Sequence, residues 1–387
     1  MGAGRSRWTA RRLGVIACVA SVLVGLICWP AASSADSAEP SAIALGGDRP
    51  IPGSRAEASR ARQHAFLNTT CTGKTNGRFT SKVTDPESIS AIIPAGVAAG
   101  TEIKPHSYIQ FSPERAAIYA PVNMELVQGA LYYEPPGWRA KTTYILHFAV
   151  GCDFAIFLDH ITDPVPRIKA ALNSTPNADT RLDTFLDKPV AFKAGELIGY
   201  TIGAGTPDQA RQFDFGYYSA KVTNTYVNQK RYVDSYAWKQ LHAVCAYDYF
   251  PKALKAAYLK AFTNFRGVKV PGARCRPPVQ DKPGTLAGGW FYEPTGLSVV
   301  PYVAIAADLD RSSLNIAGLR SAKAVRVESP NPTYKDPAQV TDRHCYSPGE
   351  TDVYYFFVLT SPTTLDLYEG SGPCPAQPTG QRTSLYR

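Results

Sequence analysis

The sequence predicts a mainly β protein made of a β-barrel, a short two-helix segment and a small C-terminal β domain. Residues 79–222 alternate β-branched and aromatic runs with Gly, Pro and Asp, as strands joined by turns do. Residues 226–266 instead repeat apolar side chains every three or four positions and are interrupted at Pro251, which predicts two helices. From Gly284 onward, strand-like runs return and predict a second β region.

The N-terminus has the features of a secretory signal. A basic segment, MGAGRSRWTARR, precedes an apolar run from Leu13 to Trp29 and a small-residue stretch that reaches Ala35. Two alternatives stay open, since Arg11-Arg12 could belong to a twin-arginine signal and the apolar run is near the minimum of about 17 residues that spans a bilayer. We expect residues 1–35 to be removed and the chain to be secreted or associated with the cell envelope.

The remaining boundaries follow from composition. Residues 36–78 are small and polar and predict a flexible N-terminal segment, and the barrel covers residues 79–222. Residues 223–283 combine the helical segment with a Pro-rich linker, residues 284–375 form the C-terminal β domain, and residues 376–387 are a polar tail.

The charge of the chain limits its partners. The net charge is +9, of which four positive charges are arginines of the signal, so the mature chain has a charge of about +5. Without a Lys/Arg block, nucleic acid is not expected as a partner, whereas weak attraction to anionic wall polymers is possible. A membrane partner is expected only if the N-terminal helix is retained. Richness in Ala, Gly, Pro and Arg is typical of GC-rich bacteria.

Six cysteines remain once Cys18 and Cys28 leave with the signal. An even number in an exported chain indicates three disulfides, although fifteen pairings of six cysteines are possible. Proximity in sequence favours Cys245–Cys275 and Cys345–Cys374, which leaves Cys71–Cys152. No CxxC or Cys/His ligand spacing is present, so structural zinc is not expected.

The ionisable residues that could do chemistry lie in the first β region. No GxSxG elbow and no HExxH motif occurs in the chain, so neither an α/β-hydrolase nor a zincin is indicated. His106 and His160 are the candidate catalytic residues. We expect a polar cleft lined by these residues: His106, Gln110, His147, Asp159, His160 and Asp214.

One run of sequence resembles a known family. It extends from APVNMELVQG through TYILHFAVGCDFAIFLDHIT to VAFKAGELIGYTIGAGTPDQARQFDFGYY. This run resembles the β-barrel of LytM-type M23 metallopeptidases, a duplicated hybrid motif. LDHIT is similar to the family's YAHLS, and FKAGELIGY to its V-K-x-G-Q-x-I-G. The resemblance covers roughly residues 90–222 and implies that fold.

The chemistry implied by the resemblance is incomplete. Active M23 enzymes bind zinc through the His and Asp of H-x-x-x-D and the second His of H-x-H. Here His106 could be the first ligand, but the residue four positions later is Gln110, and the H-x-H position reads Phe213-Asp214-Phe215. Asp214 is the middle residue of that triplet, so we expect its side chain to face away from the site.

The two other histidines match positions that do not bind the metal. His160 matches the family histidine that stabilises the reaction centre, and His147 matches a position that is usually structural. Asp159 and His160 are adjacent on a strand, so they are expected on opposite faces. The predicted cleft therefore contains no metal site.

We therefore predict an exported M23-like protein that has no cofactor and no catalytic activity, and that binds cell-wall glycan or peptide or an extracellular protein. The alternative is an M23-type zinc metallopeptidase acting on peptidoglycan. In that case zinc would be held by a rearranged set, such as His106 and His160 with Asp159 or Asp214 after a strand bulge. Three ligand atoms within about 4 Å of one another would favour this alternative.

Overall fold

The computed structural model describes residues 62–71, 73–100, 102–178, 183–232, 238–273, 281–295, 302–321, 324–349 and 352–387. The predicted signal peptide, residues 1–35, lies outside these ranges. All described residues belong to one compact unit, Gly53–Arg387. None of the helices in the described ranges is long and apolar enough to cross a membrane.

In chain order the strands are β1 (Arg62–Gln63), β2 (Thr70–Cys71), β3 (Ile89–Ile93), β4 (Ala98–Ala99), β5 (Glu102–Ile103), β6 (Ser107–Phe111), β7 (Ala116–Tyr119), β8 (Met124–Tyr133), β9 (Thr142–Val150), β10 (Phe154–Ile161), β11 (Asp163–Pro164), β12 (Thr184–Phe192), β13 (Leu197–Thr201), β14 (Arg211–Ser219), β15 (Gly288–Trp290), β16 (Val303–Ala307), β17 (Ser313–Ala317), β18 (Ala324–Glu328), β19 (Arg343–Tyr346), β20 (Val353–Ser361), β21 (Thr364–Ser371) and β22 (Gln381–Tyr386). The α-helices are α1 (Pro166–Ala171), α2 (Trp238–His242) and α3 (Lys252–Leu259).

The first β region consists of two open sheets. The main sheet has seven antiparallel strands in the order β12-β8-β9-β10-β14-β6-β3, and a second sheet has the order β11-β13-β7. The mainly β prediction is confirmed, but no closed barrel is found among the described residues. The main sheet does not close on itself because β3 and β12 remain at its two edges.

An apolar core lies between these two sheets. Along β14, Phe213 and Phe215 are fully buried in this core, and they pack with side chains of both sheets, such as Phe148 of β9 and Ile118 of β7. Side chains alternate along a strand, so the intervening residues of β14 face the other side of the main sheet. That alternation gives the main sheet one apolar face and one mixed face.

The mixed face is covered partly by helix α2. On this face, Ala155 and Phe157 of β10 belong to the same apolar cluster as Trp238 of α2. The Trp238 ring stacks on Phe66 at a centroid distance of 4.7 Å. Residues 62–78, within the predicted flexible N-terminal segment, include β1, β2 and the buried His64. His64 and Leu67 of this segment are buried, and Leu67 belongs to the apolar cluster of the mixed face, whereas Lys74 and Arg78 remain exposed.

The C-terminal β region is a two-layer arrangement. Sheets β15-β16-β17-β18 and β19-β20-β21-β22 share one apolar core, in which Trp290, Ile305 and Phe357 are fully buried. The C-terminal β region contacts the first β region through Tyr302, whose hydroxyl accepts a hydrogen bond from Ile103 N at 3.1 Å.

Two predicted disulfides are present, Cys71–Cys152 and Cys345–Cys374. Cys245 is also disulfide-bonded, but its predicted partner Cys275 lies outside the described residues. Disulfides of this kind are compatible with the predicted export, since they persist in oxidising compartments.

Candidate functional site

The mixed face of the main sheet has a group of ionisable side chains on β10, β14 and the start of β6. Asp159 pairs in register with Asp214, which pairs in turn with Tyr108. His106 Nε2 lies 3.0 Å from Asp214 Oδ2, and His160 Nε2 lies 3.7 Å from the same oxygen. We call His106, Asp159, His160 and Asp214 the His–Asp cluster.

A β-bulge brings Asp159 and His160 to the same face. The pairing of β10 with β9 shifts between Leu158 and Ile161, and His160 has a φ of 64°. The expectation that these neighbours face opposite sides is wrong, because it assumed a regular strand, whereas a bulge redirects a side chain. Thr201 Oγ1 donates a 2.5 Å hydrogen bond to His160 O, which holds the unusual backbone in place.

The side chain of Asp214 also faces a direction other than the expected one. The sequence interpretation placed Phe213 and Phe215 toward the site and Asp214 away from it. In the structure the two phenylalanines are buried in the apolar core, and Asp214 faces His106 and His160. Alternation along the strand was predicted, but the assignment of faces was inverted, because burial of two large aromatic side chains decides which side of the sheet β14 presents to the core.

His160 is held by residues that sequence reasoning missed. Its Nδ1 lies 2.6 Å from Glu134 Oε1 and 3.0 Å from the Tyr132 hydroxyl. Thr143 donates to the same Glu134 oxygen at 2.6 Å, and Tyr132 donates to Asp159 Oδ1 at 2.9 Å. Tyr132 pairs with Thr143 across β8 and β9. The spacing of Tyr132 and Glu134 by two residues could have placed both on one strand face, but no local pattern links them to His160.

Burial and the surrounding carboxylates perturb the ionisation of the cluster. Burial alone would lower the pKa of His160, but Asp159, Asp214 and Glu134 raise it to about 10. Burial raises the pKa of Asp159 to about 6, with a further contribution from Asp214 and opposition from His160. Burial acts in the same sense on Asp214, but His106 and His160 outweigh it and lower the pKa of that carboxyl. His160 therefore carries a positive charge within the cluster at neutral pH.

The other two predicted cleft residues lie outside the cluster. His147 is separated from His106 by the ring of Phe157, with ring-centroid distances of 5.3 and 5.2 Å from Phe157 to the two histidines. His147 Nδ1 instead faces Asp183 Oδ2 at 2.9 Å. Gln110 Nε2 donates a 3.4 Å hydrogen bond to Gln212 on β14. The structure thus brings together four of the six predicted residues.

The cluster has features of a metal site. Asp159, His160 and Asp214 each offer one ligand atom, and these atoms lie within 4.8 Å of one another. Tetrahedral zinc, with ligands at about 2.0–2.1 Å, keeps neighbouring ligand atoms roughly 3.3 Å apart. The His106 and His160 Nε2 distances to Asp214 Oδ2, 3.0 and 3.7 Å, bracket that value.

The hydrogen bond between Glu134 and His160 Nδ1 also fits a metal site. It leaves Nε2 of His160 as the nitrogen directed at Asp214, and a carboxylate in this outer position orients metal-bound histidines in many sites. These residues would hold a divalent ion only if their ligand atoms, now within 4.8 Å of one another, moved closer together and His160 lost its proton. A bound zinc ion would supply Lewis acidity at this point.

The side chains of the His–Asp cluster are largely shielded from solvent. The side chains of His106 and Asp214 are 7% and 8% exposed, and that of His160 is 14% exposed. Two open cavities of about 760 Å³ each lie elsewhere on the molecule, and no residue of the cluster lines either of them. A cavity of about 10 Å³ reaches His106, which is too small for a peptide or sugar.

Comparisons of the chain with known protein families, curated proteins and solved structures found no relative. No protein-family profile, no curated protein and no solved structure matches the chain.

Proposed function

We propose that this chain is an exported protein that binds cell-wall glycan or peptide without cutting it. The closure of the His–Asp cluster is the observation that supports the non-catalytic role. A hydrolytic site needs space beside the reacting groups for substrate and water. Here the side chains of the His–Asp cluster are at most 14% exposed, and the cavity of about 10 Å³ that reaches His106 in the described part of the chain is too small for a ligand.

The ionisation of His160 supports the same proposal. Glu134 and Asp214 face its two ring nitrogens at 2.6 and 3.7 Å. Its pKa of about 10 keeps the ring protonated at neutral pH, and a protonated imidazole cannot accept a proton from water or from a hydroxyl group. The group is therefore better suited to holding three carboxylates together than to general-base catalysis.

Co-sedimentation with purified insoluble cell wall tests this function. We expect the mature chain, residues 36–387, to sediment with the wall and to release no soluble fragments. His106→Ala and His160→Gln should bind like the wild type once circular dichroism confirms that they fold, because the cluster is buried. A wild-type chain that stays in the supernatant, or one that releases wall fragments, would contradict the proposal.

A zinc metallopeptidase with a rearranged ligand set is the second candidate. The observation that favours it is the bulge at His160, which turns Asp159 and His160 toward Asp214. The ligand atoms of the three residues lie within 4.8 Å of one another, wider than the about 4 Å expected of bound zinc. Metal analysis of the purified chain distinguishes the two candidates. One zinc per chain that is lost in Asp214→Asn, together with hydrolysis of peptidoglycan by the wild type, would support the peptidase. A chain that takes up no zinc from a zinc-containing buffer would eliminate it.

A further inference from the structure

An open groove runs from the place where β8 begins and β9 ends to the place where β10 begins and β14 ends. It consists of two neighbouring cavities of about 760 Å³ each, which share Asn76 and Arg78 as lining residues. Five basic side chains line the two cavities: Lys74, Arg78, Arg167, Lys193 and Lys221. We call this feature the basic groove. None of the four residues of the His–Asp cluster contributes to it.

The positive charge of the basic groove is only partly compensated. Of its acidic lining residues, Glu196 pairs with Arg167 at 2.6 Å and Asp248 pairs with Lys255 at 2.5 Å. Glu125 is the third. Within the described ranges, no carboxylate lies within 4.0 Å of the side-chain nitrogens of three exposed residues: Lys74, Arg78 and Lys193. Low-dielectric walls around such charges concentrate their field inside a groove and attract anions.

The wall that presents Arg78 is rigid. Gly77 O accepts a 2.6 Å hydrogen bond from the buried Tyr217 hydroxyl, and Phe79 N donates to Tyr249 O at 3.0 Å. Arg78 Nη1 itself donates to Asp248 O at 2.7 Å. The cation is thus positioned before any ligand binds, which lowers the entropic cost of binding.

The aromatic residues of the basic groove argue against nucleic acid as the ligand. Proteins that bind single strands combine basic grooves with exposed aromatic rings on which bases stack. Here Phe154 and Phe192 are 4% and 3% exposed. The guanidinium of Arg167 covers the Phe192 ring at 3.8 Å, and Arg78 lies 5.6 Å from the centroid of the Tyr249 ring. Among the described lining residues, the aromatic rings are therefore buried or lie against a cation, which leaves bases little ring surface to stack on, whereas phosphate groups could contact the cations.

We propose that the basic groove binds a linear polymer of polyol units linked by phosphodiester groups. The inference rests on the proposed attachment to the cell wall and goes beyond it, because it adds an anionic wall polymer to the glycan or peptide proposed above. Two cavities in series fit an extended chain, with Arg78 at their junction and Lys74 and Lys193 along one of them. Phosphodiester groups accept hydrogen bonds from these cations and from Asn76, and the polymer needs no aromatic contact.

Binding of synthetic poly(glycerol phosphate) by the mature chain tests the inference. The groove variant is Arg78→Glu/Lys193→Glu. The matched control is Lys230→Glu/Lys260→Glu, which reverses two exposed charges that do not line the basic groove. We expect the groove variant to lose at least about tenfold in affinity at low ionic strength and the control to stay within about twofold of the wild type. Melting curves verify that both variants fold.

The outcomes separate this inference from the proposed function. If the groove variant binds poly(glycerol phosphate) as tightly as the wild type, or if the wild type does not bind it, the groove assignment is wrong. If the wild type binds single-stranded DNA as tightly as poly(glycerol phosphate), the ligand class is wrong. If wall binding is unchanged in the groove variant, the inference fails while the proposed function stands. If the wild type binds the polymer but not the wall, the proposed function fails.

Discussion

Replacement of His147 by glutamine should reduce the loss of stability that the protein suffers in mild acid. His147 is buried beneath the mixed face, with Asp183 at 2.9 Å from its Nδ1. Burial lowers its pKa from 6.5 to about 4, the positive charge of Lys239 adds to that effect, and Asp183 opposes it. Glutamine is neutral at every pH, so it removes this titration while keeping a polar side chain beside Asp183.

The sign and size follow from the two pKa values. Between pH 4 and pH 6.5 the unfolded chain binds a proton at His147 and the folded chain does not, so protonation favours unfolding. The stabilisation is complete above the unfolded pKa and decreases as the pH falls toward the folded pKa. From about pH 7.5 to about pH 5, this one group should cost roughly 2 kcal/mol of unfolding free energy.

Urea unfolding of the wild type and of His147→Gln at the two pH values measures this effect. The quantity to compare is the change in unfolding free energy between the two conditions, because it cancels the cost of the substitution itself. Burial alone would raise the pKa of Asp183, but in the wild type the hydrogen bond with His147 and the positive charge of Lys239 help to lower it, and the glutamine amide keeps a hydrogen-bond donor beside that carboxylate. Equal losses for the two chains would show that His147 does not remain neutral in the folded state.

Two further predictions concern stability. Gly77→Ala should cost about 2–4 kcal/mol in thermal or urea unfolding, because a Cβ at its φ of 69° would lie 2.6 Å from the Tyr217 hydroxyl. Gly73→Ala, at a φ of 67° but with no atom within 4 Å, should cost only about 1 kcal/mol, and equal losses would contradict the role of the contact. The double variant Cys71→Ser/Cys152→Ser opens a link between residues 81 positions apart and should lose about 4 kcal/mol. An unchanged urea midpoint would refute this estimate.

Much of the fold could be predicted because it depends on local patterns. Runs such as FAIFLDHI and QFDFGYY contain the β-branched and aromatic residues that strands favour, and they form β10 and part of β14. The break at Pro251 lies between α2 and α3. The closed barrel was not predictable in the same way, since closure depends on whether edge strands pair with each other across the whole sheet.

The candidate site was predicted less well. His106, Asp159, His160 and Asp214 were all chosen from the sequence, and the structure brings them together. Their mutual orientation was wrong in two respects, and the residues that hold His160 were not foreseen. Glu134 precedes His160 by 26 positions, and nothing in its neighbourhood of the sequence distinguishes it from an ordinary surface carboxylate.

The sequence by itself determined the strand-forming segments and which ionisable residues belong to the first β region, and it favoured the cysteine pairs Cys71–Cys152 and Cys345–Cys374 that the structure contains. Only the tertiary structure decided which way those residues face. The direction of Asp214 depends on the burial of Phe213 and Phe215 against a second sheet, and that of His160 depends on one bulge in the register of β10. Both are set by the balance of packing over many strands, which no local pattern of residues contains.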